Sequence, residues 1–176
     1  MIYWVLDTIE GSMRASAPDA KAREAFLHGI FARAASLYGR MSNLQRTAVK
    51  SLAGEPGWSL DTFGVNVDLA PADNFSTRLE GLRVAIYSWT ETSSRQAKVA
   101  IAEMAPTATV DCSADHGGSV RLRALAENAD IIVVTWLSAK HAATEFNREH
   151  RGNRSLLYDQ DRGFSSILRA LEDNFA

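Results

Sequence analysis

Cysteine is nearly absent. Cys112 is the single cysteine in 176 residues, so no internal disulfide and no cysteine-based zinc site is possible, and a reducing, cytoplasmic setting is the default expectation. An excess of either charge is also missing: the net charge is −2, which gives no general pull toward nucleic acid or acidic lipid. The longest apolar start, Met1-Ile2-Tyr3-Trp4-Val5-Leu6, ends at Asp7 and has no basic front. It is too short for a signal or membrane segment and reads as a core strand or a docked N-terminal segment. No Gly-x-Gly-x-x-Gly follows the first strong strand, and no Gly-Lys-Ser/Thr occurs anywhere, which disfavours dinucleotide oxidoreductases and P-loop NTPases. No HExxH or comparable spacing is present either. Asp111, Asp115, His116 and His141 are thus a weak basis for a metal site, and no cofactor is indicated.

What is present is ordinary globular composition, 46% hydrophobic and 23% charged, in a chain long enough to bury a real core. Residues 17–41 have helical periodicity, with a cap and an early proline at Ser16-Ala17-Pro18-Asp19. Phe26, Ile30, Ala34, Leu37 and Met41 form the expected apolar stripe, with Phe31 and Tyr38 beside them. Ser42-Asn43-Leu44-Gln45 has capping-box spacing and opens a second helix that carries Ala48, Val49 and Leu52, with Gly54 as its stop. Residues 1–54 are therefore expected to be a helical region built on a helical hairpin. Residues 55–80 mix Gly, Pro, Asp and Asn with scattered apolar side chains and read as a linker, with residues 65–69 as a short edge strand.

From Gly81 the rhythm changes. Strands are expected over 83–87, 107–112, 131–135 and 155–158, separated by helices over 93–105, 119–128 and 139–150. A closing helix carries Phe164, Ile167, Leu168, Leu171 and Phe175 on one face. Four strands alternating with four helices imply right-handed βαβ units. Residues 81–176 are thus expected to form a Rossmann-like α/β domain, a four-stranded parallel sheet in order 2-1-3-4 buried on both faces.

In such sheets ligands bind outside the carboxyl ends of the strands, near the point where strand order reverses. The turn after strand one supplies Ser88, Trp89, Thr90, Thr92, Ser93, Ser94 and Arg95, where hydroxyls at a helix start either hold a phosphate or serve only as caps. After strand two come Asp115, His116, Gly117 and Gly118, the most chemical-looking motif, in which a flexible turn presents an imidazole. After strand three come Trp136, Ser138, Lys140 and His141; cations in a helix's first turn are unfavourable unless an anion is near. Trp89 and Trp136 end adjacent strands and offer faces for a base or sugar, or simply fill core. After strand four, Arg162, Gly163, Ser165 and Ser166 form a glycine turn into a helix, a natural anion site and equally a tightly packed corner. Cys112, next to Asp111 on a strand, reads as a small buried apolar residue.

The second half resembles a small bacterial Rossmann-like family of unknown function that ends in Gly-Leu-Ser-Ser, two hydrophobic residues and Arg-Ala-Leu. Here that stretch is Gly163-Phe164-Ser165-Ser166-Ile167-Leu168-Arg169-Ala170-Leu171. Asp115-His116-Gly117-Gly118 matches the family's turn after the second strand, and Ala129-Asp130-Ile131-Ile132-Val133 its third strand. Ser138 and His141 stand where a Ser/His element opens the family's third helix. The resemblance spans residues 81–172. Ser88-Trp89-Thr90 replaces the family's glycines and Trp136-Leu137-Ser138 its cysteine, which argues against a thiol- or metal-dependent role.

The leading expectation is a non-catalytic regulatory or sensor domain that binds a nucleotide or other phosphorylated small molecule at the strand ends. The first alternative is a hydrolase or phosphoesterase-like enzyme in which His116 is the general acid/base, oriented by Asp115 or Asp159. The second is a structural adaptor in a larger bacterial complex. A protein partner or homo-oligomer fits the helical first half; a membrane is not expected, and nucleic acid is not favoured.

Overall fold

The N-terminal stretch is helical from its second residue, not the strand that its apolar run allowed. In the computed structural model, which describes residues 2–65, 74–115, 118–135, 141–159 and 163–175, helix α1 spans Ile2–Arg14. Val5, Leu6 and Ile9 are buried while Trp4 is 70% exposed, so the apolar run is split between two faces. A three- and four-residue step, not alternation, decides what is buried.

The chain divides into two compact units, Met1–Asp73 and Asn74–Ala176. In the first, α1 and helix α2 (Ala20–Leu37) pack together, and both touch helix α3 (Asn43–Gly54). Asp19 caps α2 by accepting from the Lys21 and Ala22 N–H groups. The buried stripe of α2 is Leu27, Phe31 and Ala34, continued by Tyr38 in a 3-10 turn and by Met41, whereas Phe26 is half exposed. Relative to the sequence expectation this stripe is turned by one residue: both spacings satisfy helical periodicity, and only packing chooses between them. Ser42 and Gln45 do form a reciprocal capping box on α3. Arg46 of α3 is buried; its guanidinium donates to the carbonyls of Tyr38 (3.0 Å) and Gly39 (3.3 Å) and lies 5.2 Å from the Tyr38 ring centroid. It thereby caps the carbonyl end of the α2 turn, where positive charge is favoured. A second 3-10 turn, Leu60–Phe63, brings Trp58 and Phe63 onto Phe31, with ring centroids 5.6 and 6.0 Å away. The expected edge strand at 65–69 falls beyond Val65 outside the described residues.

The second unit opens with helix α4 (Asn74–Leu79) and then alternates. Its elements are β1 (Arg83–Tyr87), α5 (Glu91–Met104), β2 (Thr109–Ser113), α6 (Val120–Asn128) and β3 (Ile131–Thr135), then α7 (His141–Arg151), β4 (Ser155–Asp159) and α8 (Phe164–Phe175). The sheet is parallel in order β2-β1-β3-β4, as the alternation of strands and helices implied. Register aligns Tyr87 with both Ser113 and Val134, and Thr135 with Asp159, so all four strands end level. β3, a β-branched run, is buried along its whole length. On one face Ala85, Tyr87, Ile132 and Val134 pack against Leu122, Ala126 and Ala129, with Phe146 of α7 joining them. Strand alternation turns Val84, Ile86, Ile131 and Val133 to the other face, and α5 and α8 pack together with the sheet through buried Ile101, Phe164, Ile167, Leu168 and Leu171.

The amino end of the sheet is tied down by Arg151, the largest fully buried side chain. Its Nη1 donates to the carbonyls of Ala126 (3.2 Å) and Ala129 (2.5 Å), and Nη2 to those of Asp130 (2.7 Å) and Ser155 (2.5 Å). Those oxygens are the carbonyl end of α6, the entry to β3 and the first residue of β4. One cation therefore neutralises a helix terminus and staples two strands. Gly152 follows in the left-handed region (φ +60°), which lets the chain reverse directly into β4.

Candidate functional site

Level strand ends gather the turns that sequence reading singled out, and two of those turns are well defined. After β1, the buried Ser88 accepts from the Thr90 N–H at 3.1 Å, a local turn that sets the entry to α5. Thr90 occupies the N-cap position without a side-chain capping bond, contrary to a pure capping role for the hydroxyls of this turn. Ser93 and Ser94 are buried, and Ser94 Oγ donates back to the Glu91 carbonyl at 3.0 Å. Arg95 is exposed and makes no hydrogen bond or ion pair among the described residues. Trp89 is 41% exposed, and its indole hydrogen-bonds the Tyr87 hydroxyl.

The turn after β2 is held by a chain of bonds centred on Asp115. Its N–H donates to Ser113 Oγ (3.3 Å), its carbonyl accepts from Tyr87 Oη (2.9 Å), and its Oδ2 accepts from Ser119 Oγ (2.5 Å). Ser119 Oγ in turn accepts from the Leu122 N–H at 3.0 Å and so caps α6. Asp115 is thus a fixed carboxylate whose Oδ1 makes no such bond among the described residues. Gly118 has a packing reason: a Cβ there would stand 2.7 Å from the Phe146 ring, so a side chain forces that ring to shift. His116 and Gly117 lie outside the described residues, and so does any pairing of His116 with an aspartate.

At the other strand ends, Trp136, Ser138, Lys140 and Arg162 lie outside the described residues, and only the backbone of His141, opening α7, is described. Gly163, Ser165 and Ser166 are placed and are buried. Ser166 Oγ lies 2.9 Å from Asp159 Oδ2 and 2.7 Å from the Gly163 carbonyl, so it ties the first turn of α8 to the end of β4. These serines pack a corner and do not line an open cavity. Asp159, 2% exposed, belongs to the same corner.

An open cleft of about 370 Å³ lies between the first turns of α5 and α6, over the end of β2. Glu91, Ser94, Arg95, Cys112, Ser113, Ala114, Asp115 and Arg121 line it. A hollow of about 420 Å³ at the amino ends of β1 and β2 is larger but far from every strand-end turn. Of these, Ser94, Arg95 and Asp115 are among the candidates singled out from sequence; Glu91, Ser113 and Ala114 stand in the same strand-end stretches without a role there, and Arg121 was not singled out. Arg121 did carry a signal, a cation in the first turn of a helix. Its Nη2 donates to the Cys112 carbonyl at 2.9 Å, leaving its other N–H groups for the cleft. Burial pushes the Cys112 thiol pKa up, opposed by the Ser94 side chain, and the thiol donates to the Ser94 carbonyl (3.5 Å), so it is a weak nucleophile. Burial also raises the Tyr87 pKa, against the Trp89 hydrogen bond. Among the described residues no three His, Cys, Asp or Glu side chains converge as a metal site.

A parallel sheet wound on both faces, with a polar cleft at the carboxyl ends of its strands, defines a Rossmann-like α/β protein. Within that class the chain belongs to the DpdD-like family, whose model matches residues 1–170 and so takes in both compact units. No curated protein and no solved structure matches it. Among the described residues, no helix is long and apolar enough to cross a membrane.

Proposed function

We propose that the second unit is a non-catalytic sensor or regulatory domain that takes a phosphorylated small molecule in the cleft between α5 and α6. The observation that carries this reading is the unpartnered Arg95 in the first turn of α5, facing a cleft that Arg121 also lines. The N–H groups of that turn receive no bond from the Thr90 side chain, and an anion is the ligand such a helix start favours. Trp136, Ser138, Lys140, His141 and Arg162 follow β3 and β4 in sequence, and we assign them to the same ligand on that ground. The likeness of residues 163–171 to the Gly-Leu-Ser-Ser signature supports the same placement at the strand ends. The helical residues 1–54 are assigned to engaging a protein partner, in a cytoplasmic setting.

Thermal-shift titration against inorganic phosphate and mono-, di- and cyclic nucleotides tests the reading. A phosphorylated compound should raise the melting temperature in a concentration-dependent way, and Arg95→Ala should abolish the rise. If no phosphorylated compound shifts the melt, the reading fails.

A further inference from the structure

The two edges of the sheet are built differently. β2 bounds one side and β4 the other, and among the described residues neither has a second neighbour. A strand edge presents a row of unpaired N–H and C=O groups, which soluble proteins guard with charge or leave to another strand. The β2 edge is guarded. Thr109 and Asp111 stand exposed on it, and the exposed Lys98 of α5 is close enough for its charge to act on Cys112 of the same strand. β4 has no such guard. Ser155-Leu156-Leu157-Tyr158 carries no charge, proline or glycine, and its register with β3 runs without a bulge. Leu156 and Leu157 are only half-buried, although their neighbours Ile132 and Val133 are fully buried, and Tyr158 is 39% exposed. The one charged residue, Asp159, is 2% exposed and committed to Ser166, so it does not protect the edge.

The open strand suits a second copy of itself. The chain enters β4 past two cations, Arg151 and Arg154, and ends it on a carboxylate, Asp159. Laid antiparallel, the basic start of one strand meets the acidic end of the other; laid parallel, like ends meet. Among antiparallel registers, the one with Leu157 opposite Leu157 pairs all five residues. It sets Leu156 against Tyr158 on the face that packs under α6, and Ser155 against Asp159 on the other face. A slip in one direction puts Leu157 against Asp159, and in the other Ser155 against Leu157. We infer that β4 pairs antiparallel with β4 of a second copy about a twofold axis at Leu157, joining two four-stranded sheets into one. Such a pairing closes at the dimer, with the guarded β2 edges outermost. The cleft lies over the end of β2, at the opposite edge of the sheet, so the pairing is independent of what the cleft binds.

Sedimentation velocity of the full chain tests the association. One strand edge with its flanking side chains makes a small, weakly associating interface, so the dimer should build up between about 1 and 100 μM. Tyr158→Lys should weaken association by about tenfold or more while keeping the circular dichroism spectrum, because pairing would bury an ammonium beside Leu156. Register is read with cysteines in a Cys112→Ser background. Leu157→Cys sets two thiols opposite each other, with Cα atoms about 4.5–5.5 Å apart, within the span of a disulfide. Ser155→Cys sets them four residues apart along the ladder, about 13 Å, which is out of reach. Mild oxidation should link the first variant into a dimer and leave the second unlinked. The cross-link introduces no charge, so it stands even where Tyr158→Lys folds poorly. A chain that stays monomeric to about 200 μM overturns the inference. So does a dimer that a folded Tyr158→Lys leaves intact, or cross-linking of Ser155→Cys in preference to Leu157→Cys. Growth beyond the dimer also overturns it, since a twofold pair uses the open edge of both copies.

Discussion

Replacing Arg151 by Met is expected to be among the most damaging single changes in the second unit. The side chain is 1% exposed and its guanidinium donates to four backbone carbonyls, two of them at 2.5 Å. Hydrogen bonds from a charged donor are worth ~1.5–3 kcal/mol each, so the gross loss is on the order of 6–12 kcal/mol. Against this stands the desolvation of a buried cation, several kcal/mol, which methionine avoids. The buried Nε has no partner, a further cost the wild type carries. Burial accordingly holds the Arg151 pKa below its ordinary value, and the nearby Arg154 adds to the effect. The balance is a loss of about 3 kcal/mol, or on the order of 10 °C in melting temperature for a domain near a hundred residues. Arg151→Lys should fall between the two, because one ammonium has three donors for four carbonyls. Urea denaturation followed by circular dichroism reads both variants, and an unchanged m-value certifies that stability alone has moved. A methionine variant as stable as the wild type would refute the reasoning, since the staple would then return no more than its desolvation cost.

The other expectations concern the strand-end turns and the corner at β4. Gly118→Ala should cost about 1–3 kcal/mol by forcing the Phe146 ring aside, and the double change with Phe146→Leu should recover most of it in thermal melts. Ser166→Ala removes a donor from the buried Asp159 and should cost about 1–3 kcal/mol, read by chemical denaturation. Cys112 and Tyr87 have pKa values raised in the folded state, so folding favours their protonated forms. Their contribution is complete at neutral pH and is lost as pH rises past about 8.5–10, where the unfolded groups ionise, so urea midpoints should fall across that range. Iodoacetamide should alkylate Cys112 more slowly than a free thiol at pH 8, and a ligand bound in the cleft should slow it further.

Local chemistry made the sheet legible. β3 is a five-residue β-branched run that begins straight after Asp130, and its limits came from the residues themselves. Ser42 with Gln45 and Ser119 announced two helix starts for the same reason, that capping is a contact within four residues. What failed was any choice that tertiary packing makes. Ile2–Leu6 has no internal signal separating strand from helix, and the stripe on α2 had two solutions one residue apart. The site divided similarly. Ser94, Arg95 and Asp115 could be listed by walking off the end of each strand. Cys112 reaches the cleft from within β2, beside Ser94 of α5. Arg151 and Arg46 were invisible because the carbonyls that need them are exposed only after α6 and the α2 turn have ended where they do.

The described polar groups at the two ends of the sheet are used differently. At the amino end the polar groups are committed to each other. Arg151 holds four carbonyls, Asp130 accepts from the Arg83 N–H at 2.7 Å, and Thr107 is bonded to Glu80 and to the Gly81 N–H. The hollow there is lined by Arg83, Thr109, Asp111 and Asn128 together with Val84, Ala85, Ala124, Leu125 and Ala129. At the carboxyl end, among the described residues, the Glu91 and Arg95 side chains and Asp115 Oδ1 make no hydrogen bond or ion pair, and Arg121 commits one nitrogen. Polar groups held in place yet lacking partners represent binding capacity, because water is displaced from them without loss of an internal bond. Variants at Arg95 should therefore leave the melting temperature of the unliganded protein nearly unchanged, within about 1 °C for this exposed side chain, while changing ligand response. A large loss of stability on Arg95→Ala would instead place that side chain in the architecture and remove it from the site.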